Sequence, residues 1–207
     1  MSALLDVVPV TPSTMNPRAL ALVVSAFVLG SVPFGVLLAR ARGVDLKKVG
    51  SGNIGATNTA RALGKKAGAL VLLLDTLKAY LPTAAALRLG LGPEVAALTG
   101  FAAFAGHIYS PWLKLKGGKG VACGLGAFLA LAPVAAGIAA AVCVVAVAAT
   151  RMGALGSLLG AASLLPALLA LHAERAYVLL AAAMFLFILW RHRANIGRMA
   201  RGRENKL

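Results

Sequence analysis

Apolar residues in this chain fall in long unbroken runs separated by shorter polar, glycine-bearing stretches. Runs are clear at 19–39, 67–87, 154–171 and 176–190. A helix needs roughly 17–25 residues to cross a hydrocarbon core about 30 Å thick, so each run predicts a membrane helix. The stretch 94–106, about 13 residues, is short and must extend into its flanks. The stretch 121–149 is 29 residues, too long for one untilted crossing, and Pro133 divides it into a short span and a normal one. Within the first run, Gly30-Ser31-Val32-Pro33-Phe34-Gly35 predicts a break where the helix lines a cavity.

Composition agrees. Of 207 residues, 60% are hydrophobic and 13% charged, far too little polar surface for a soluble domain. The charge is lopsided: 21 Lys and Arg against six acids, net +15. The basic residues sit between apolar runs and lack interleaved aromatics, which argues against nucleic acid and for orientation in a bilayer and for anionic ligands. Segment 40–66 holds seven basic residues, 107–120 three and 191–207 six. Placing all three on the cytoplasmic side requires two crossings through 121–149. The expectation is an all-α, polytopic membrane protein of seven helices with cytoplasmic active-site loops. Its N-terminus is outside, its C-terminus is cytoplasmic, and 1–207 form a single domain without repeats. Residues 1–17 carry no basic residue and do not read as a signal peptide. Cys123 and Cys143 lie in or beside apolar stretches, so no disulfide is expected.

The polar segments carry the candidate chemistry. The first reads Gly50-Ser51-Gly52-Asn53-Ile54-Gly55-Ala56-Thr57-Asn58, followed closely by Arg61. Its glycines let the backbone turn sharply beside a ligand. Ser51, Asn53, Thr57 and Asn58 supply neutral hydrogen-bonding groups, and Arg61 a planar fork suited to phosphate. A polar linker would not need those residues so interleaved with glycine. Walker spacing is absent, so this is not a P-loop. The second segment contains Lys116-Gly117-Gly118-Lys119-Gly120 directly before an apolar span, where helix-start N–H groups and lysine form an anion site. The third begins Arg191-His192-Arg193-Ala194-Asn195, and His192 and Asn195 share a face if the last helix continues. Anionic lipid accounts for some tail arginines but not for His192 and Asn195.

His107 invites a catalytic role, yet no Ser/His/Asp relay can be drawn, and Trp112 stands where a His-x₄-Asp acyltransferase would have its acid. The histidines are scattered, so no metal site is expected. Asp75 and Lys78, three residues apart inside a span, face one another and point into the bundle, as a structural pair or a substrate contact.

At these residues the sequence resembles the bacterial acyl-phosphate-dependent glycerol-3-phosphate acyltransferase family. The likeness covers segments 30–35, 50–66, 75–78, 106–126 and 192–206, with departures at Ala79, Cys123 and Arg203. The resemblance implies transfer of a fatty acyl group from acyl phosphate to the 1-hydroxyl of sn-glycerol 3-phosphate. The products are 1-acyl-sn-glycerol 3-phosphate (lysophosphatidic acid) and phosphate, at the start of phospholipid biosynthesis in the bacterial inner membrane. No cofactor is called for, and no protein partner is inferred beyond membrane lipids and the two substrates. Ser51, Arg61, Lys119, His192 and Asn195 are assigned to glycerol 3-phosphate. Gly117, Gly118, Gly120 and Lys116 are assigned to the acyl phosphate, with Asn53, Thr57 and Asn58 completing the binding set. The catalytic candidates are His107, Lys119 and Ser51, and the proton acceptor is either His107 or a substrate phosphate. The main rival is a membrane transporter of a phosphorylated metabolite.

Overall fold

The computed structural model describes residues 16–206, and every regular element among them is helical. The reading of residues 1–17 as no signal peptide falls almost entirely outside the described residues. Helix α1 (Pro17–Ser31) starts at Asn16, whose side chain accepts from the Arg18 N–H at 2.7 Å, with Pro17 in the first turn. It is followed by α2 (Phe34–Arg40), a short 3₁₀ turn (Leu46–Lys48), α3 (Ala56–Leu63), α4 (Lys65–Arg88) and α5 (Pro93–Ile108). A second 3₁₀ turn (Pro111–Leu113) leads to α6 (Val121–Leu131), α7 (Pro133–Thr150), α8 (Gly153–Ala170), α9 (Arg175–Arg191) and α10 (Arg193–Ala200).

Both expected breaks are present. The first run divides between Ser31 and Phe34, and 121–149 divides at Pro133. The α1–α2 break frees carbonyls in an apolar setting, and neighbours satisfy them. Ser110 Oγ donates to the Ser31 carbonyl at 2.7 Å, and Lys78 Nζ donates to the Val32 carbonyl at 2.8 Å. Trp112 Nε1 donates to Ser31 Oγ at 2.9 Å, fixing the loop after α5 against the same point. Four helices are each long and apolar enough to cross a bilayer, counting α1 with α2 as one, and α9 with α10 makes a fifth, bent by 58°. The remaining helices are shorter: α5 has 16 residues, α6 has 11 and α3 has 8.

Helix α5 is the hub, packed on α1, α4, α6 and α9, with α3 lying on α4 and the α7–α8 hairpin outside α6 and α9. Water supplies no drive for association in lipid, so helices approach through small residues. A Cβ on Gly30 would strike the Ala103 backbone, one on Gly106 the Phe27 backbone, and one on Gly126 the Thr76 carbonyl. The core between them is largely alanine, with Ala26, Ala79, Ala96, Ala103, Ala127 and Ala135 fully buried. Outward-facing Val24, Val28, Leu73, Leu81, Val134, Val144, Val145 and Leu186 are exposed, as lipid-facing side chains must be.

Gly126→Ala should therefore destabilise the fold by about 1–3 kcal/mol, because the methyl has only the α4 backbone to displace. Gly137→Ala, with open space at its Cβ, should cause no loss. Thermal unfolding of the two variants in detergent checks the contrast.

Candidate functional site

The loop before α3 is organised by one buried asparagine. Asn58 Oδ1 accepts from the Ser51 N–H at 2.9 Å, while its Nδ2 donates to the Leu46 carbonyl at 3.1 Å and the Val49 carbonyl at 3.0 Å. That arrangement needs Gly50, which has φ +58° and would put a Cβ on Asn58 Oδ1. The loop is thereby closed on itself, and α3 carries Thr57 and Arg61 to the same side.

The second loop is laid over the end of α5. Gly118 N–H donates to the His107 carbonyl at 3.1 Å and Gly117 N–H to the Ile108 carbonyl at 2.9 Å. Their own carbonyls accept from Arg191 at the end of α9, Nη2 to Gly117 at 2.6 Å and Nε to Gly118 at 3.0 Å. Gly120, at φ +86° against the Phe104 ring, turns the chain into α6. Lys119 between them projects toward the third segment and donates to Asn195 Oδ1.

The last apolar helix does not run on as one piece. It bends by 58° at His192, so His192 and Asn195 do not share a face of one continuous helix. The bend nonetheless buries both at the same place. Asn195 Nδ2 donates to Glu204 Oε1 at 2.7 Å, and Arg198 Nε donates to Glu204 Oε2 at 2.9 Å. Arg61 closes the ring: its Nη2 donates to the Asn205 carbonyl at 2.9 Å and its Nε to the Lys206 carbonyl at 3.3 Å.

These three segments surround one end of a cavity of about 330 Å³. Ser51, Arg61, His107, Lys119, His192 and Asn195 line that polar end. From Val121 onward the walls are apolar: Leu125 and Phe128 of α6, Ala136, Ala140 and Val147 of α7, Ala154 and Leu164 of α8, and Met184 and Ile188 of α9. A cationic pole thus opens into an apolar arm between helices, the shape an amphiphile with a phosphate head and an acyl tail would fill.

The profile of the glycerol-3-phosphate acyltransferase family matches residues 20–202. The chain belongs to this family. A glycerol-3-phosphate acyltransferase of Myxococcus xanthus (strain DK1622) is 51% identical over 190 residues, covering 90% of this chain and 98% of the relative. One from Geobacter sulfurreducens is 42% identical, covering 87% and 93%. Two crystal structures of PlsY, an integral membrane glycerol 3-phosphate acyltransferase, share the fold. The glycerol 3-phosphate form has TM-score 0.89 and 40% identity over 92% of this chain and 96% of that one, and the lysophosphatidic acid form has TM-score 0.86 and 38% identity over 92% and 95%.

Of the residues expected at an acyltransferase site, Ser51, Asn53, Thr57, Asn58, Arg61, His107, Lys119, Gly120, His192 and Asn195 line the cavity. Lys116 is exposed, and Gly117 and Gly118 are buried against α5, so these three stand outside the lining. Glu204, whose side chain is 2% exposed, was not expected. Its signal was legible: a lone acid in an arginine-rich tail needs a reason. The apolar arm was missed too, although Gly153, Ser157, Gly160, Ala161 and Leu164 follow helical spacing along one face of α8.

The polar end is lined by Arg61 and Lys119 together with Asp75 and Glu204, and Arg191 and Arg198 stand close by. Burial, with Arg198, Arg61 and Arg191 adding and Glu204 opposing, lowers the Lys119 pKa to about 8. Burial first, then Lys119, lowers His192 to about 4, so the ring is neutral near pH 7. Its Nδ1 lies 2.8 Å from the Ile188 carbonyl, which only accepts, so the proton is on Nδ1. Burial also pulls Arg61 down, though an arginine keeps its charge. A bound phosphate would reverse the Lys119 shift. Inorganic phosphate should therefore bind below pH 8 and weaken above it as Lys119, which titrates near 8, loses its charge. Lys119→Arg should flatten that fall, and calorimetric titration across the range reads both.

Proposed function

We propose that this protein transfers a fatty acyl group from acyl phosphate to the 1-hydroxyl of sn-glycerol 3-phosphate. The products are 1-acyl-sn-glycerol 3-phosphate and inorganic phosphate, and the step belongs to phospholipid synthesis. The observation that carries this reading is the cavity's two ends, a cationic pole from three separate segments and an apolar arm running between helices. Family membership supplies the acyl acceptor. The acyl phosphate donor is what the resemblance in segments 50–66 and 106–126 implies, and such a mixed anhydride, being already activated, needs no acyl-enzyme.

Ser51, Arg61, Lys119, His192 and Asn195 hold glycerol 3-phosphate, and Lys119 with the Gly120 turn also faces the acyl phosphate. Lys116, Gly117 and Gly118 support that turn from outside the cavity. Arg61 and Lys119 offset the repulsion between the two anions. The acceptor hydroxyl is thereby aligned on the acyl carbon, and proximity supplies much of the rate. The hydroxyl oxygen forms the new C–O bond, and the bond from the acyl carbon to the phosphate oxygen breaks with its electron pair on phosphate. The hydroxyl proton passes to a substrate phosphate oxygen. With a second pKa of about 6, a phosphate monoester is a competent base near neutral pH, whereas the other candidate, His107, has its Nδ1 engaged by Lys78 at 3.0 Å.

The architecture follows as seven crossings, with α5 and α6 as the short ones. At 1.5 Å per residue α6 covers only about 16 Å, so the loop ahead of it completes that crossing at protein-lined depth. The basic segments then share the cytoplasmic side of the bacterial inner membrane, and the N-terminus lies outside. No obligate protein partner and no cofactor enter the reaction.

Purified protein given acyl phosphate and glycerol 3-phosphate should release inorganic phosphate only when both are present, with lysophosphatidic acid as co-product. Uptake of glycerol 3-phosphate into sealed vesicles without product would instead support a transporter. Arg61→Ala should lose about 1.5–3 kcal/mol of substrate binding, or roughly 10- to 150-fold in kcat/KM. Wild-type kinetics in that variant would remove Arg61 from the site.

A further inference from the structure

The apolar arm is a wedge, and its shape follows from how the helices around it are joined. Helices α6 and α7 meet through Ala132 alone, at the end remote from the polar segments, and diverge from there. Helix α7 keeps close to α8 instead. A Cβ on Gly156 would strike Val147 and the Cys143 carbonyl, and one on Gly160 the Ala139 carbonyl. At the remote end Leu131, Ala135, Ala136 and Leu168 are buried in one cluster with Phe128, itself 1% exposed. Nearer the polar segments Ala139, Ala140 and Cys143 are only partly buried. The arm is therefore open at the phosphate end and closed at Phe128.

Its depth is fixed by the lining. On α7 the lining runs from Val147 to Ala136 and on α8 from Gly153 to Leu164, about 16 Å each at about 1.5 Å per residue. Carbon–carbon bonds of about 1.5 Å meeting at about 111° advance an extended chain by about 1.25 Å per methylene. With the acyl carbon at the start of α6, the arm takes a chain of about 14 carbons. On the way down, Gly124 of α6 lines the arm, and a Cβ there would meet only Met184 Sδ, at 3.9 Å. The side chain that Gly124 lacks is part of the space.

We propose that the arm gauges acyl-chain length, with Phe128 as the specificity-determining residue at its closed end and Gly124 as the position that keeps it passable. The inference rests on the acyl-transfer reading above. Shorter chains leave the closed end unfilled and forgo contacts with its walls. Longer chains are disfavoured rather than barred. Val144 lines the arm yet is 66% exposed, so a chain end that outruns Phe128 turns out toward lipid there.

In a series from octanoyl to octadecanoyl phosphate, kcat/KM should peak near tetradecanoyl and fall about tenfold by octadecanoyl. Gly124→Leu, which removes a helix-interior glycine, should lower the tetradecanoyl rate relative to the octanoyl rate by about fiftyfold or more. Phe128→Leu should move the optimum up by about two carbons. Gly137→Ala, whose Cβ meets open space outside the arm, should leave the profile alone. An optimum that neither Gly124→Leu nor Phe128→Leu moves, or a Gly124→Leu that loses all chain lengths alike, overturns the proposal.

Shielding from alkylation reads the same depth without turnover. Cys143 lies about a third of the way down the lining of α7, and Leu164 lies at the closed end of α8. With Cys123 fully buried, a membrane-permeant maleimide reports on Cys143 in the wild type and on position 164 in a Cys143→Ala, Leu164→Cys protein. Octanoyl and tetradecanoyl lysophosphatidic acid should both shield Cys143, and only the tetradecanoyl form should shield position 164. Equal effects of the two forms at position 164, or no shielding of Cys143 by either, overturns the proposal. Because no acyl phosphate is present, that outcome is distinct from a failure of acyl phosphate as donor.

Discussion

Cationic side chains crowded beside a low-dielectric interior must each find compensation, and this fold depends on how two carboxylates provide it. The chain has a net charge of +15 and only six acids. Glu204 is spent in the polar cluster, where it accepts from Asn195 and Arg198 and thereby holds the residue that receives Lys119. Asp75 is spent inside, where it meets Lys78, which ties α4 to the break between α1 and α2 and to the end of α5. The Asp75–Lys78 pair is buried on both sides, so removing either partner leaves the other stranded, and losing Glu204 would leave Asn195 and the partly exposed Arg198 without their acceptor.

Around those two charges the rest is geometry. Glycine and alanine let α1, α4, α5 and α6 approach backbone to backbone, which makes the inner helices a firm platform. The α7–α8 hairpin packs outside α6 and α9, and the apolar arm lies where these meet. On the reading we propose, substrate heads and chains are received by different parts of the molecule, a ring of loops for phosphate and a set of helix faces for hydrocarbon, and the reaction takes place where the two meet, at the start of α6.

Helix positions were largely legible because hydrophobic run length maps directly onto crossings, and Pro33 and Pro133 mark breaks by removing a donor. The polar lining of the cavity was legible because glycine, asparagine, lysine and arginine stand in close alternation along the three polar segments. Glycines 117 and 118 show the limit of that logic: they satisfy a packing need against His107 and a pairing need with Arg191, and sequence alone does not separate this from ligand contact. The bend at His192 was illegible because no proline or glycine announces it; Asn195 reaches the cavity through tertiary contacts with Lys119 and Glu204. The apolar arm was hidden because its residues look like any helix–helix interface.

The central claim, that three separate polar segments meet on one side of the membrane to form one pole, is tested most directly by sidedness of labelling. Lys47, Lys116 and Arg201 are exposed, one on each segment, and cysteine at each in a Cys123→Ala, Cys143→Ala background gives three reporters. In oriented membrane vesicles, an impermeant maleimide should reach all three from the cytoplasmic face alone. Reaction of any one of them from the opposite face would contradict the account.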